Sequence, residues 1–188
     1  MGKHHEFDHA ALISWTLKTR PLVNAPGTMF AYSNFGYCLL GRVIEKITRR
    51  PYAELVQETV LSPAGATDME IAGNTLQERR LDEVRYYGIG KDDPYQINVH
   101  RMDSHGGWLA RPASVAAFAS SVDGFSSPAL LRHGTVVVMT TPSSANPRYA
   151  KGWRVNGLGN WWHIGRRRAT PQNILCHYRA DSLAVLPR

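Results

Sequence analysis

Pro26-Gly27-Thr28-Met29-Phe30-Ala31-Tyr32-Ser33-Asn34-Phe35-Gly36-Tyr37-Cys38-Leu39-Leu40-Gly41 is the most informative stretch of the chain. Asn24 to Thr28, with Pro26-Gly27 at its centre, is a turn. The apolar residues Phe35, Cys38, Leu39, Val43, Ile44 and Ile47 then recur at i, i+3, i+4, i+8, i+9 and i+12. That spacing predicts a helix from about Asn34 to Thr48, with Arg42, Glu45 and Lys46 outside its apolar stripe. Tyr32 and Asn34 stand just before this helix, which would hold them rigidly. A tyrosine there serves as a proton acceptor if a nearby cation lowers its pKa. An asparagine there holds an amide by donating and accepting together. The plainer alternative is a turn tyrosine packed on its neighbours and an asparagine N-cap.

Working outward, Asp8 is placed to cap a first helix running to about Lys18, with Leu12, Ile13 and Trp15 as its apolar surface and Pro21 as its stop. A third helix opens at Pro51, runs to about Val60, buries Leu55 and Val56, and ends at Ser62-Pro63-Ala64-Gly65. Between residues 66 and 110 the pattern is weak: Glu83 to Tyr87 reads as a short strand, and Asp103 to Gly107 as a tight, close-packed loop. Pro112 starts another helix, with Val115, Phe118, Ala119 and Val122 on one face and Asp123-Gly124 at its end. The aromatic and branched runs Lys151 to Val155, Asn160 to Ile164, Asn173 to Tyr178 and Ser182 to Leu186 predict an antiparallel meander. Helices followed by strands give an α/β-type (α+β) two-layer fold, helices packed on an antiparallel sheet.

Composition narrows the function classes. The 188 residues are 43% apolar and 20% charged, ordinary for a globular chain, and no run approaches the length of a membrane span. The start has no apolar core, so nothing there reads as a secretory signal, and the compartment stays open. Two cysteines, Cys38 and Cys176, make no disulfide scaffold and read as buried free thiols. The net charge is +7, but the basic residues form no single stripe and accompany no nucleic-acid reading module. A solvated surface is therefore expected, with no nucleic-acid partner and no membrane partner. His4, His5, Asp8 and His9 crowd the N-terminus, where a solvated end is favoured over a metal site. Trp153, Trp161 and Trp162 read as sheet packing.

With these elements in place, Tyr32-Ser33-Asn34 resembles the Tyr-x-Asn motif of the serine β-lactamase-like hydrolases, the family of class C β-lactamases, DD-peptidases and related esterases. Further segments fall in the family's order. Val43-Ile44-Glu45-Lys46 with Pro51-Tyr52 resembles its helix and following turn, and Val60 to Ala66 its helix stop. His105-Gly106-Gly107-Trp108-Leu109-Ala110 with the Pro112 helix resembles its Ala-Gly-Gly-Leu loop and helix. Gly152-Trp153, then Trp161-Trp162-His163-Ile164-Gly165, resembles the approach to its Lys/His-x-Gly strand. The likeness implies a partial β-lactamase/transpeptidase-like fold over residues 20–188, helical from about 34 to 132 and antiparallel strands from about 149 to 188, behind an N-terminal extension at 1–19.

The resemblance also implies roles. Tyr32 would be the general base for a serine nucleophile, and Asn34 would hold the substrate carbonyl side. His163 would steer a substrate carboxylate or bond to Tyr32; a strand histidine bonded to a backbone carbonyl is the even alternative. Gly165 would let substrate approach the strand, and the Arg166 backbone N–H would serve as an oxyanion donor. The family's chemistry is acyl transfer to water from a β-lactam, a D-alanyl peptide or a small ester, with no cofactor and no metal.

The departures are equally specific. No serine here has a lysine three residues on, and only 31 residues precede Tyr32, so no nucleophile is assigned. The expectation is a truncated, inactive chain that exposes an apolar patch and either self-associates through it as a homo-oligomer or folds poorly alone. Arg166-Arg167-Arg168 replaces the family's small turn; it either attracts an acidic substrate or, as favoured, reflects drift. The alternatives are a non-enzymatic ligand- or partner-binding module on the same half-pocket, and a basic nucleic-acid or anionic-surface binder.

Overall fold

In a computed structural model of the chain, residues 6–88, 93–125, 129–165, 175–179 and 182–186 are described. Asp8 begins the first helix, α1 (His9–Thr19), by accepting from the Ala11 backbone N–H at 2.7 Å, as the sequence predicts. The long helix α2 (Asn34–Thr48) has the predicted bounds. It stops where Arg49 adopts a left-handed conformation, φ 59°, and returns its N–H to Glu45 O. The third helix is shorter than expected: α3 (Tyr52–Val56) gives way to a π-helical turn, Gln57–Leu61. Leu55 and Val56 are half-buried, and burial falls instead on Leu61 and Ala66.

The weakly patterned middle contains a two-residue ladder, β1 (Glu70–Ile71) antiparallel to β2 (Trp108–Leu109), and no strand at Glu83 to Tyr87. Side chains occupy the backbone groups that a ladder would use there. The Arg79 guanidinium takes the Glu83 carbonyl, and the Tyr95 hydroxyl accepts from Tyr86 N–H at 3.0 Å. The predicted tight loop is present. Met102 O accepts from the backbone N–H groups of His105, Gly106 and Gly107 at 3.0, 3.0 and 2.9 Å. Gly106 has φ +138°, and a Cβ on Gly107 would lie 2.7 Å from Val99 O, so both positions need glycine.

α4 (Pro112–Val122) has the expected bounds, and α5 (His133–Thr140) extends helix beyond residue 132. The meander is confirmed as a four-stranded antiparallel sheet in the order β3 (Arg154–Val155), β4 (Trp161–Ile164), β5 (Leu175–Arg179), β6 (Ser182–Leu186). α4 runs beside β6. The architecture is α+β.

The chain divides into two compact units, Met1–Leu55 with Glu70–Leu109, and Val56–Met69 with Ala110–Arg188. In the second unit Val122, Val155 and Trp161 form an apolar core, joined by Phe118, Leu130, Leu131, Ala150 and Trp153. Trp153 and Trp161 meet edge to face with ring centroids 4.5 Å apart, the expected sheet packing. Among the described residues no helix is long and apolar enough to cross a membrane.

Candidate active site

α2 positions the first pair of candidate residues. The Ser33 hydroxyl caps the helix by accepting from Gly36 N–H at 3.0 Å, so the cap is Ser33 and not Asn34. Asn34 is the first helical residue, with an exposed side chain. Tyr32, extended into the cap, is 57% exposed. The hydroxyl of Tyr37, one turn on, is pushed up by partial burial first and by nearby Tyr32 second. A phenol and a carboxamide thus share the mouth of one helix, both on exposed residues.

The inner face of α2 fixes that mouth through a polar cluster. The Arg42 guanidinium donates to Asp103 Oδ2 at 2.5 Å and to His9 Nδ1 at 2.5 Å. Arginine can only donate, so His9 Nδ1 is the acceptor and Nε2 carries the proton, which it gives to Arg101 O at 3.2 Å. Asp103 Oδ1 is 3.5 Å from that same Nε2 and has no aligned hydrogen bond. Arg42 Nε lies 3.1 Å from Glu45 Oε2, ion-pair distance without hydrogen-bond alignment. The Arg42 and Asp103 side chains are only 18% and 10% exposed, so each depends on the other.

Groups beside this cluster are kept neutral. Burial pushes the His105 imidazole down, against the opposing pull of Asp103. Burial also pushes the Cys38 thiol up, with Arg42 opposing, and the Tyr52 phenol up, aided by Asp103. Packing is tight: a Cβ on Gly41 would lie 2.5 Å from Ser104 Oγ. Asp8 and His9 are therefore structural, one a cap and one a tether, in place of the solvated end expected for them. Nothing local in the sequence announces the tether, because Arg42 reaches 33 residues back to His9 and 61 forward to Asp103.

The remaining candidates lie in the second unit, on β4. His163 Nδ1 donates to Gly152 O at 2.8 Å, the backbone bond held open as its plainer reading. A Cβ on Gly165 would meet nothing within 4 Å, so none of the described residues makes a close approach there. Arg166 and the arginine run it begins lie outside the described residues. Tyr32 with Asn34, and His163 with Gly165, are thus placed pairwise, each pair within its own unit. Among the described residues no three His, Cys, Asp or Glu side chains gather closely enough to hold a metal ion.

Comparison with known proteins gives this arrangement a lineage. The sequence model of the Beta-lactamase family matches residues 4–185. An Escherichia coli K12 protein named "Putative D-alanyl-D-alanine carboxypeptidase" is 26% identical over 180 residues, covering 83% of this chain and 42% of the relative. Among solved structures, D-amino acid amidase from Ochrobactrum anthropi SV3 covers the whole chain at TM-score 0.76 and 16% identity, and 58% of the amidase is matched. A penicillin binding protein from Bacillus halodurans matches 97% of the chain at TM-score 0.73 and 18% identity, again over 58% of its own length. The chain belongs to the β-lactamase family, shares the fold of these structures, and spans less than half the length of the curated relative.

Proposed function

We propose that this β-lactamase-family chain carries the general-base half of a serine acyl hydrolase, acting on a β-lactam, a D-alanyl peptide or a small ester. The observation that carries the proposal is the mouth of α2, where Ser33 takes the cap and leaves Tyr32 and Asn34 exposed side by side. In this reading Tyr32 Oη removes the proton from a serine hydroxyl as that oxygen attacks the acyl carbon. It then returns the proton to the leaving group, and water repeats the sequence to release the acid. Asn34 holds the carbonyl side of the substrate. The Nε2 of His163 bonds to the substrate, and the Arg166 N–H donates to the developing oxyanion.

These 188 residues hold no serine followed by lysine three positions on, so by themselves they acylate nothing. Relatives named as a carboxypeptidase and an amidase support acyl transfer as the chemistry, since both names describe cleavage of an acyl–nitrogen bond. Incubation with benzylpenicillin or a fluorophosphonate, read by intact mass, tests the proposal. No covalent adduct is expected on the isolated chain, and stoichiometric acylation of one of its serines would refute it.

A further inference from the structure

The hairpin that leads into β4 carries a reactive pair of residues. Asn156-Gly157 is the chain's one asparagine followed by glycine. It opens the loop between β3 and β4, just past the point where Val155 pairs with Trp161. Asn156 N–H donates to Asn160 O at 3.1 Å, Gly159 N–H donates to Asn156 O at 3.3 Å, and Gly159 has φ 77°. That is a three-residue hairpin loop, a tight turn closed by a left-handed glycine. The Asn156 side chain folds forward over it. Its Oδ1 accepts from the Leu158 N–H at 3.0 Å and from the Asn160 N–H at 3.1 Å. Residues 156–159 are all exposed to water.

We infer that Asn156-Gly157 is a self-modification site, where the native turn converts Asn156 to aspartate and isoaspartate through a cyclic imide. The backbone nitrogen of Gly157 attacks Asn156 Cγ. The N–Cγ bond forms, the Cγ–Nδ2 bond breaks, and the proton lost by the Gly157 nitrogen leaves with Nδ2 as ammonia. Water then opens the imide. Addition at Cγ restores the original peptide bond and leaves an aspartate. Addition at the main-chain carbonyl carbon of Asn156 sends the backbone through Cβ and Cγ as isoaspartate.

The turn favours this step in three ways. An Oδ1 tied to the N–H groups two and four residues on keeps Cγ over the intervening Gly157 nitrogen, a positioned reactant. The same two donors meet the negative charge that grows on Oδ1 as the nitrogen adds. Among the described residues no hydrogen bond occupies the Gly157 N–H. The fold itself does not require glycine at 157: a Cβ there would meet nothing within 4 Å, and its φ is not positive. What glycine supplies is an unshielded nitrogen. Asp123-Gly124 is the near match that shows the difference. Asp123 Oδ1 takes the Phe125 N–H at 2.7 Å, yet Asp123 is buried and its carboxylate has no ammonia to expel. The two products differ in consequence. Aspartate keeps both acceptor bonds, because a carboxylate oxygen receives the same N–H groups. Isoaspartate adds a carbon to the backbone of a short loop and loosens the Val155–Trp161 register at the base of the strand that carries His163.

The test incubates the folded 188-residue chain in neutral buffer at physiological temperature. Peptide mass mapping follows every asparagine, and isoaspartyl methyltransferase labelling counts the isoaspartate. Conversion at Asn156 is expected to be roughly tenfold or more faster than at any other asparagine. Gly157→Ala should melt with the parent, since its methyl has room, and should slow conversion roughly tenfold. A synthetic peptide of residues 153–161 isolates the contribution of the turn, and the folded chain is expected to convert at least as fast as the peptide. Four results would each overturn the inference: Asn156 that stays an amide, equal conversion at another asparagine, a Gly157→Ala variant as fast as the parent, or a folded chain slower than the peptide.

Discussion

The two units are organised around opposite chemistries. The first is built on a buried ion pair, Arg42 with Asp103, tied to His9 and flanked by Cys38 and His105. The second is built on Val122, Val155 and Trp161. An apolar core draws stability from the area it removes from water and hardly responds to pH. A polar core depends on every partner being present, because an orphaned buried charge costs far more than the pair contributes. The unit that presents Tyr32 and Asn34 is therefore the more sensitive one, and the unit that presents His163 is the more tolerant.

The largest effect should come from breaking the polar core. Asp103→Ala leaves Arg42 buried without its carboxylate and should lower stability by about 3–5 kcal/mol. Hydrogen exchange should show protection lost first at α2 and at the 101–107 loop. Trp161→Ala makes the matching cut in the other unit, with a cost of about 3–5 kcal/mol. Its cost should stay level between neutral and mildly acidic pH.

A smaller change sharpens the picture of how α2 seats. Gly41→Ala forces its new methyl onto Ser104 and should cost about 1–3 kcal/mol. Most of that should be recovered in the double variant with Ser104→Gly, because the atoms in the way are Ser104 Oγ and Cβ, at 2.5 and 2.6 Å.

The pH dependence follows from His105. Its folded pKa lies below the ordinary value of 6.5, so the unfolded chain binds the proton first. His105 therefore costs nothing above about pH 6.5, and stability falls as pH drops from there through the folded pKa. His105→Gln should flatten that part of the stability curve in urea titrations. The smallest effect is on the outer face of α2, where Ile47→Glu in the lone chain should change stability by no more than about 0.5 kcal/mol.

The sequence shows its elements wherever the signal is local. Asp8 caps α1 and Pro112 opens α4, and each helix lies where its signals put it. The aromatic and branched runs of the meander all pair as strands, because alternation, turns and packing agree there. Long-range and minority signals escape it. β1 and β2 are two residues each, too short to leave a period, and α5 contains Val136-Val137-Val138, a run that favours strand until Val136 packs over Gly124. The orientation of α2 is misread for a deeper reason. Periodicity separates apolar from polar faces but does not say that a buried guanidinium is balanced by an aspartate 61 residues away.

At the candidate site, Tyr32 and Asn34 are legible because helix and motif coincide, and the cap that the plainer alternative gave to Asn34 belongs to Ser33. The carbonyl bond of His163 is fixed by Gly152, 11 residues back, and is one of two readings the strand alone allows.

The most direct test of the central claim is intact-mass analysis of the isolated 188-residue chain after saturation with benzylpenicillin. An unchanged mass is expected, because a general base without an activated serine cannot form the acyl-enzyme. A single stoichiometric adduct on one of this chain's own serines would contradict it.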